Sequence, residues 1–153
     1  MFGAPPSTPM DDLLPWAWAA ERLATARNFW LTTVRADGRP NARPVWGTWD
    51  EHGFSFSTGG RAGADVVNNP ACTVHLEDGW ECVIVEGRAE IVTDPSVREE
   101  FCIAYNDKYD WSLHVTRAGV GDDAGAEGPL LRIQPEVAYG WPGDLARATR
   151  WRW

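Results

Sequence analysis

A short glycine-bearing stretch carries the residues best suited to chemistry. It reads Phe54-Ser-Phe-Ser-Thr58-Gly-Gly-Arg61, so hydroxyls, glycines and a guanidinium follow one another. Backbone N–H groups of a glycine turn, hydroxyl donors and an arginine fork together suit an anion, above all a phosphate. Just upstream lies Pro40-Asn-Ala-Arg43-Pro-Val-Trp46-Gly-Thr-Trp49, a second arginine among aromatic residues. An anion site at a strand end, beside flat rings, is one way to hold a flat phosphorylated cofactor. On the residues alone, Arg43 is either a phosphate ligand or a solvated arginine on an edge strand, a place Pro44 favours. Arg61, at a Gly-Gly turn ahead of a helix, is the better placed anion ligand. Trp46 and Trp49 are three apart and cannot share a strict period-2 face without a bulge at Gly47. One of them is then core and the other lines a groove, with Gly47 admitting a ring close to the backbone.

The remaining polar candidates read as structure. His75 alternates with Val74 and Leu76 as a satisfied sheet histidine does, His52 sits in a turn, and nothing near His114 supports a ligand role. The three His and three Cys show no metal-ligand spacing, so no metal is expected. Glu77, Asp78, Glu81 and Glu86 surround a hairpin, where a solvated turn outweighs acid–base work. Chain order discloses no Ser-His-Asp set, and no catalytic residue is assigned.

These residues need a β-sheet to position them. Three β runs between Trp30 and Arg61, joined by turns at Ala36-Asp-Gly-Arg and Asp50-Glu-His-Gly, form a meander. Asp11 and Asp12 cap a helix expected over 13–26, with Pro15 in its first turn and Leu14, Trp18, Leu23 and Ala26 on its apolar face. A short helix over 63–69 stops at Pro70. Strands over 71–77 and 80–92 follow, the second bent or bulged at Gly87. Asp94-Pro95 opens a helix over 96–109 with Phe101, Ala104 and Tyr105 on one face, placed to plug or cover a barrel end. Residues 117–128 read as a mobile loop, and two late strands, 130–134 and 137–141, are split by Pro135. The pattern is α+β, a single domain over 11–153 behind a disordered lead at 1–10, with a mainly antiparallel barrel.

Composition narrows the function. The chain has 153 residues and a net charge of −8, which argues against a nucleic-acid partner. Thirteen of its fourteen basic residues are Arg, and Lys108 is the single Lys. Ten of its eighteen aromatics are Trp, of which most should be core or interface and some could face a planar ligand. The three scattered Cys fit no disulfide framework and read as reduced thiols. There is neither a signal-peptide pattern nor an apolar run of membrane-spanning length, so a soluble cytoplasmic protein is expected.

The order of elements, the Arg43-Pro-Val-Trp run, the Phe56-Ser-Thr-Gly-Gly-Arg turn and the Val74-His-Leu-Glu-Asp-Gly hairpin resemble the pyridoxamine-5′-phosphate-oxidase-like split β-barrel proteins. More narrowly they resemble its flavin and deazaflavin oxidoreductases, and the closing Ala148-Thr-Arg-Trp-Arg-Trp matches many deazaflavin-type members. The resemblance spans roughly residues 20–153. It implies a homodimer of six-stranded split barrels with cofactor grooves between subunits, holding F420 or, alternatively, FMN. It implies phosphate contacts from Arg43, Ser57, Thr58 and Arg61, with Val45, Trp46, Gly59 and Arg150 also at the cofactor. It implies hydride transfer between that cofactor and a conjugated or quinone-like molecule. One departure is that Ala62 follows Arg61 where relatives often carry Lys, and Asp65 brings a repulsive charge nearby. That departure also fits a barrel that only binds or sequesters a flavin, deazaflavin or other planar ligand. The Arg- and Trp-rich tail packs on the barrel or across a dimer, either as a clamp or with Arg150 near the cofactor.

Overall fold

The meander is interrupted at one residue, and that interruption shapes the molecule. A computed structural model describes residues 13–143 and 147–153; the lead at 1–10 and the capping role of Asp11 and Asp12 lie outside them. Strand β1 (Phe29–Val34) turns at Gly38, whose φ of 83° suits glycine, into β2 (Pro40–Val45). Trp46 then breaks the strand, and β3 (Gly47–Asp50) continues into β4 (Gly53–Ser57). The expected second strand is thus two half-strands. β2 pairs with β1 and β3 pairs with β4, at opposite ends of a sheet whose order is β2, β1, Ala71–Leu76, Cys82–Ile91, Leu130–Trp141, β4, β3. Because the two ends are consecutive in the chain, the sheet is curled round on itself. Counting β2 and β3 as one stave gives the six strands that the sequence leads one to expect.

The other staves are β5 (Ala71–Leu76), β6 (Cys82–Ile91) and the long β10 (Leu130–Trp141). Side chains alternate along them, so Phe29, Leu31, Val74, Val83, Val85, Leu131 and Ile133 all face a dry core. β10 is one strand rather than two. Its pairing with β4 ends at Ile133 and its pairing with β11 (Thr149–Arg152) begins at Val137. Pro135, with no N–H to give, sits in the gap between those partners. The bulge expected at Gly87 falls at this level, but the extra residue is Glu136 on β10. A Cβ on Gly87 would lie 2.1 Å from the Gln134 carbonyl oxygen, so the bulge requires glycine opposite it.

Helix α1 (Trp16–Thr25) seats Ala19 and Leu23 in the core. Pro15 is its N-cap, in extended geometry, rather than a first-turn residue. Of the expected face, Leu14 and Leu23 are buried, and Trp18 and Ala26 half-buried. The Leu14 N–H donates to the Thr149 hydroxyl at 2.9 Å, tying helix to tail. The tail is strand β11, and Trp16 meets both Trp151 and Trp153 edge-on at 5.4 and 4.7 Å. Helix α2 (Gly60–Asn68) begins three residues earlier than expected and ends before Pro70. Helix α3 (Pro95–Tyr109) is capped by Asp94, whose carboxylate accepts from the Ser96 N–H at 2.9 Å. On it Phe101 is buried and Tyr105 half-buried, but Ala104 is exposed. The segment expected as a loop is instead a small sheet of β7 (Leu113–Val115), β8 (Val120–Asp122) and β9 (Glu127–Gly128). Its turn is held by Asp122, whose carboxylate accepts from the Ala124 and Ala126 N–H groups at 3.0 Å each.

The Gly87 contact makes a direct prediction. Gly87→Ala should destabilise by about 1–3 kcal/mol and lower the melting temperature by roughly 3–10 °C. Gly79→Ala, where a Cβ meets nothing within 4 Å, should leave it nearly unchanged. Calorimetry on both variants checks the pair.

Candidate functional site

The site forms where the β2–β3 stave breaks. Trp46 cannot continue the ladder, and its half-exposed ring turns outward against α3, stacking on Tyr109 with centroids 4.6 Å apart and planes 2° from parallel. The break is pinned from α3. The Tyr109 hydroxyl accepts from the Gly47 N–H at 3.0 Å and lies 2.7 Å from the Arg27 carbonyl and 2.9 Å from the Gly47 carbonyl, to which its one proton can go. Lys108 Nζ donates to the Gly47 carbonyl at 3.0 Å. Gly47 has room for this only because it lacks Cβ, which would sit 2.5 Å from the Phe54 ring. Sequence reasoning anticipated that close approach of a ring to Gly47.

Two lobes of one cleft open beside Trp46. The first, about 310 Å³, is lined by Arg43, Pro44, Val45, Trp46, Ser57, Thr58 and Tyr105. The second, about 240 Å³, shares Trp46, Ser57, Thr58 and Tyr105 and adds Gly59, Trp111 and the β8–β9 flap. Together they reach the size range of small-molecule sites. The flap lies against β4, where a Cβ on Gly128 would be in ordinary contact with Ser57 Oγ at 3.4 Å. Gly59 caps the N-terminus of α2, and no atom lies within 4 Å of a Cβ placed at Gly59 or Gly60. No side chain caps that helix end.

Six of the eight residues expected at a cofactor come together here: Arg43, Val45, Trp46, Ser57, Thr58 and Gly59. Arg61 is exposed in the first turn of α2 and lines neither lobe. Arg150 is separated from them in its own chain. Ser57 pairs with Leu130, whereas Arg150 pairs with Tyr139, nine residues along β10; that is roughly 30 Å of strand. Asp65 does not oppose a phosphate from the cleft. Its buried carboxylate turns inward and accepts from Thr33 Oγ1 at 2.9 Å and Asn41 Nδ2 at 3.2 Å. Asp78 caps its turn, and Glu81 pairs with Arg22 at 2.8 Å.

Sequence reasoning missed Tyr105, Trp111, Asp122 and Glu127 as lining residues. The helical pattern puts Tyr105 on an apolar face, and the Gly- and Asp-rich composition of the flap reads as loop. The available signal was Asp122-Asp-Ala-Gly125, a hairpin turn with Gly125 at a φ of 87°.

The electrostatics favour protonated phenols and a weakened ammonium. Burial, then Tyr109 and the Asp122 carboxylate, push the Tyr105 phenol up to about 12. Burial also raises Tyr109, against the opposing Gly47 bond and Arg27. Burial, with Arg27 second, lowers the Lys108 ammonium to about 8. The thiols of Cys72, Cys82 and Cys102 are free and buried, and burial raises each. Among the described residues no group of three or more His, Cys, Asp or Glu is placed to hold a metal, and no helix is long and apolar enough to cross a membrane.

The family model for pyridoxamine 5′-phosphate oxidase matches residues 17–141, and the chain belongs to that family. No curated protein matches the chain. Among solved structures it is similar to a conserved hypothetical protein of Mycobacterium tuberculosis, at 19% identity and a TM-score of 0.70 over 91% of each chain. It is similar to an F420 reductase at 26% identity and a TM-score of 0.58, over 77% of this chain and 94% of that one. It is also similar to a heme storage protein of Vibrio cholerae, at 17% identity and a TM-score of 0.59, over 76% and 86%. The α+β split barrel expected from the sequence is thus the fold of the family.

Lys108 sets a pH signature. Its folded pKa lies below its unfolded value, so the unfolded chain binds more protons between pH 8 and 10.5 and the fold gains stability as pH rises through that window. The melting-temperature advantage of the wild type over Lys108→Met should therefore be larger at pH 9.5 than at pH 7.5. A pH-independent difference in differential scanning fluorimetry would contradict this.

Proposed function

We propose that the protein is a homodimeric oxidoreductase of the cytoplasm that binds F420, or alternatively FMN, and moves a hydride between it and a conjugated or quinone-like small molecule. The observation that carries this reading is the lining of one lobe by Arg43, Ser57 and Thr58 beside Trp46, with Gly59, the N-cap of α2, in the adjoining lobe. A guanidinium and two hydroxyls suit a phosphate. Trp46 and Val45 supply an apolar wall for a ring system. The family and the likeness to an F420 reductase support the cofactor class.

When bound, the cofactor supplies the two-electron chemistry, and the protein binds and orients it. Tyr105, whose phenol is held protonated, can donate a hydrogen bond into either lobe. Nothing marks it as an obligate acid. Arg43 takes the leading phosphate role that sequence reasoning gave to Arg61, because it lines the cleft and Arg61 does not. Arg150 acts on a cofactor only from a partner subunit, since its own cleft is too distant. Dimerisation would also cover part of the exposed indole surface, where Trp30, Trp46 and Trp111 are 37%, 37% and 48% accessible.

A second reading is a barrel that holds a planar ligand without turnover. It is favoured by the Ala62 departure after Arg61 and by the carboxylates of Asp122 and Glu127 in the second lobe. Two measurements separate the readings. Reduced F420 should be oxidised by members of a quinone panel in the presence of protein; binding without oxidation would leave only the second reading. Arg43→Ala should weaken F420 binding about ten- to hundredfold, as expected for loss of a charge-assisted hydrogen bond. Arg61→Ala should weaken it less. The opposite order would return the phosphate to Arg61.

A further inference from the structure

The two lobes of the cleft differ in sign. The Arg43 lobe carries a guanidinium. The flap lobe is a cavity of about 240 Å³ walled by Trp46, Tyr105 and Trp111, with Asp122 and Glu127 at its edge. Among the described residues, no Arg, Lys or His lines it. Its rings form a corner rather than a slot. Trp111 stands at 87° to Trp46, 5.9 Å away, and Tyr105 is tilted 50° to Trp46 at 6.5 Å. Trp111 keeps 48% of its surface accessible. On its far side a further depression is lined by Trp111, Asp110, Asp122 and Asp123.

Aromatic faces and carboxylates around one cavity attract an organic cation and repel an anion. An anionic acceptor would meet two carboxylates with no countercharge in the lining. Asp122, fixed by its two turn N–H bonds, lies close enough to the Tyr105 phenol to join burial and Tyr109 in raising it, and Glu127 adds a second, exposed carboxylate on β9.

We infer that the flap lobe selects a planar, positively charged aromatic molecule, such as an N-alkylated heteroaromatic ring, as the ligand seated beside the cofactor. The inference rests on the proposed function only in assigning the other lobe to the cofactor.

The test is equilibrium dialysis of the full chain at pH 7.5 against three probes of similar shape. These are N-methylquinolinium, neutral 4-methylquinoline and anionic quinoline-4-carboxylate. The cation should bind about tenfold more tightly than the neutral probe, the scale expected of a cation over aromatic rings beside carboxylates. The anion is compared on Arg43→Ala protein, which removes the guanidinium of the other lobe, and should bind most weakly there. Raising the salt to about 0.5 M should narrow the order. Asp122→Asn with Glu127→Gln should bring the ratio of cation to neutral probe close to one. Asn keeps the oxygen that accepts the turn bonds, and Glu127→Gln alone, at an exposed position, should already reduce the ratio if the double variant does not fold. Equal binding of cation and neutral probe, no binding of any probe, or a cation preference that survives loss of both carboxylates overturns the inference. Titration with F420 in parallel separates the two readings. F420 binding without cation preference removes this inference alone; cation preference without F420 binding removes the cofactor reading alone.

Discussion

The arrangement depends on one hydroxyl meeting one glycine. Tyr109, at the end of α3, bonds both the N–H and the carbonyl side of Gly47, and Lys108 adds a bond to the same carbonyl. A buried backbone break would otherwise leave its polar groups unpaired, at a cost of about 1–3 kcal/mol for each. By supplying the missing partners, α3 allows the second stave to stop at Trp46 and restart at Gly47. The break sends β2 to one end of the sheet order and β3 to the other, so it curls the sheet. It also frees the Trp46 ring to form the wall that both lobes share. Barrel closure and cleft formation are thus two consequences of the same local event.

The protein is acidic, yet the charge around the cleft is divided. Arg43 lines one lobe, and Asp122 and Glu127 line the other. Asp65, which lies close to the phosphate-type turn in sequence, is withdrawn from it by Thr33 and Asn41. The nominal charge balance of the 57–65 segment therefore misrepresents what a ligand would meet. An anion at the Ser57–Gly59 end would meet two hydroxyl-bearing residues, and the nearby Asp65 carboxylate is occupied elsewhere.

Much of the fold was legible because its signals are local. Period-2 alternation in Phe29–Val34 and Ala71–Leu76, the Asp94-Pro95 cap and the Pro70 stop each act within a few residues, and each holds. The bulge signal at Gly87 located the right level of the ladder, but whether the extra residue sits on β6 or β10 depends on the partner strand. Pro135 suggested two strands because its tolerance inside β10 depends on where β4 ends and β11 begins. The flap was missed for a similar reason. Its strands are two or three residues long, and a Gly- and Asp-rich composition alone does not distinguish a tight hairpin from a loop. The cleft followed the same division. Its meander residues were legible from hydroxyl, glycine and arginine chemistry. Tyr105 and Trp111 reach it only through tertiary packing of α3 and the turn after it, and Arg61 lies exposed in the first turn of α2 and lines neither lobe.

The proposed cofactor reading stands or falls on whether the lobe between Arg43 and Thr58 holds the phosphate of a flavin-type cofactor. A crystal structure of the protein grown with F420 decides this. The phosphate should lie within hydrogen-bonding distance of Arg43 and the Ser57 and Thr58 hydroxyls, with the ring system against Trp46. A phosphate bound away from those residues, or a cleft left empty at saturating F420, would contradict it.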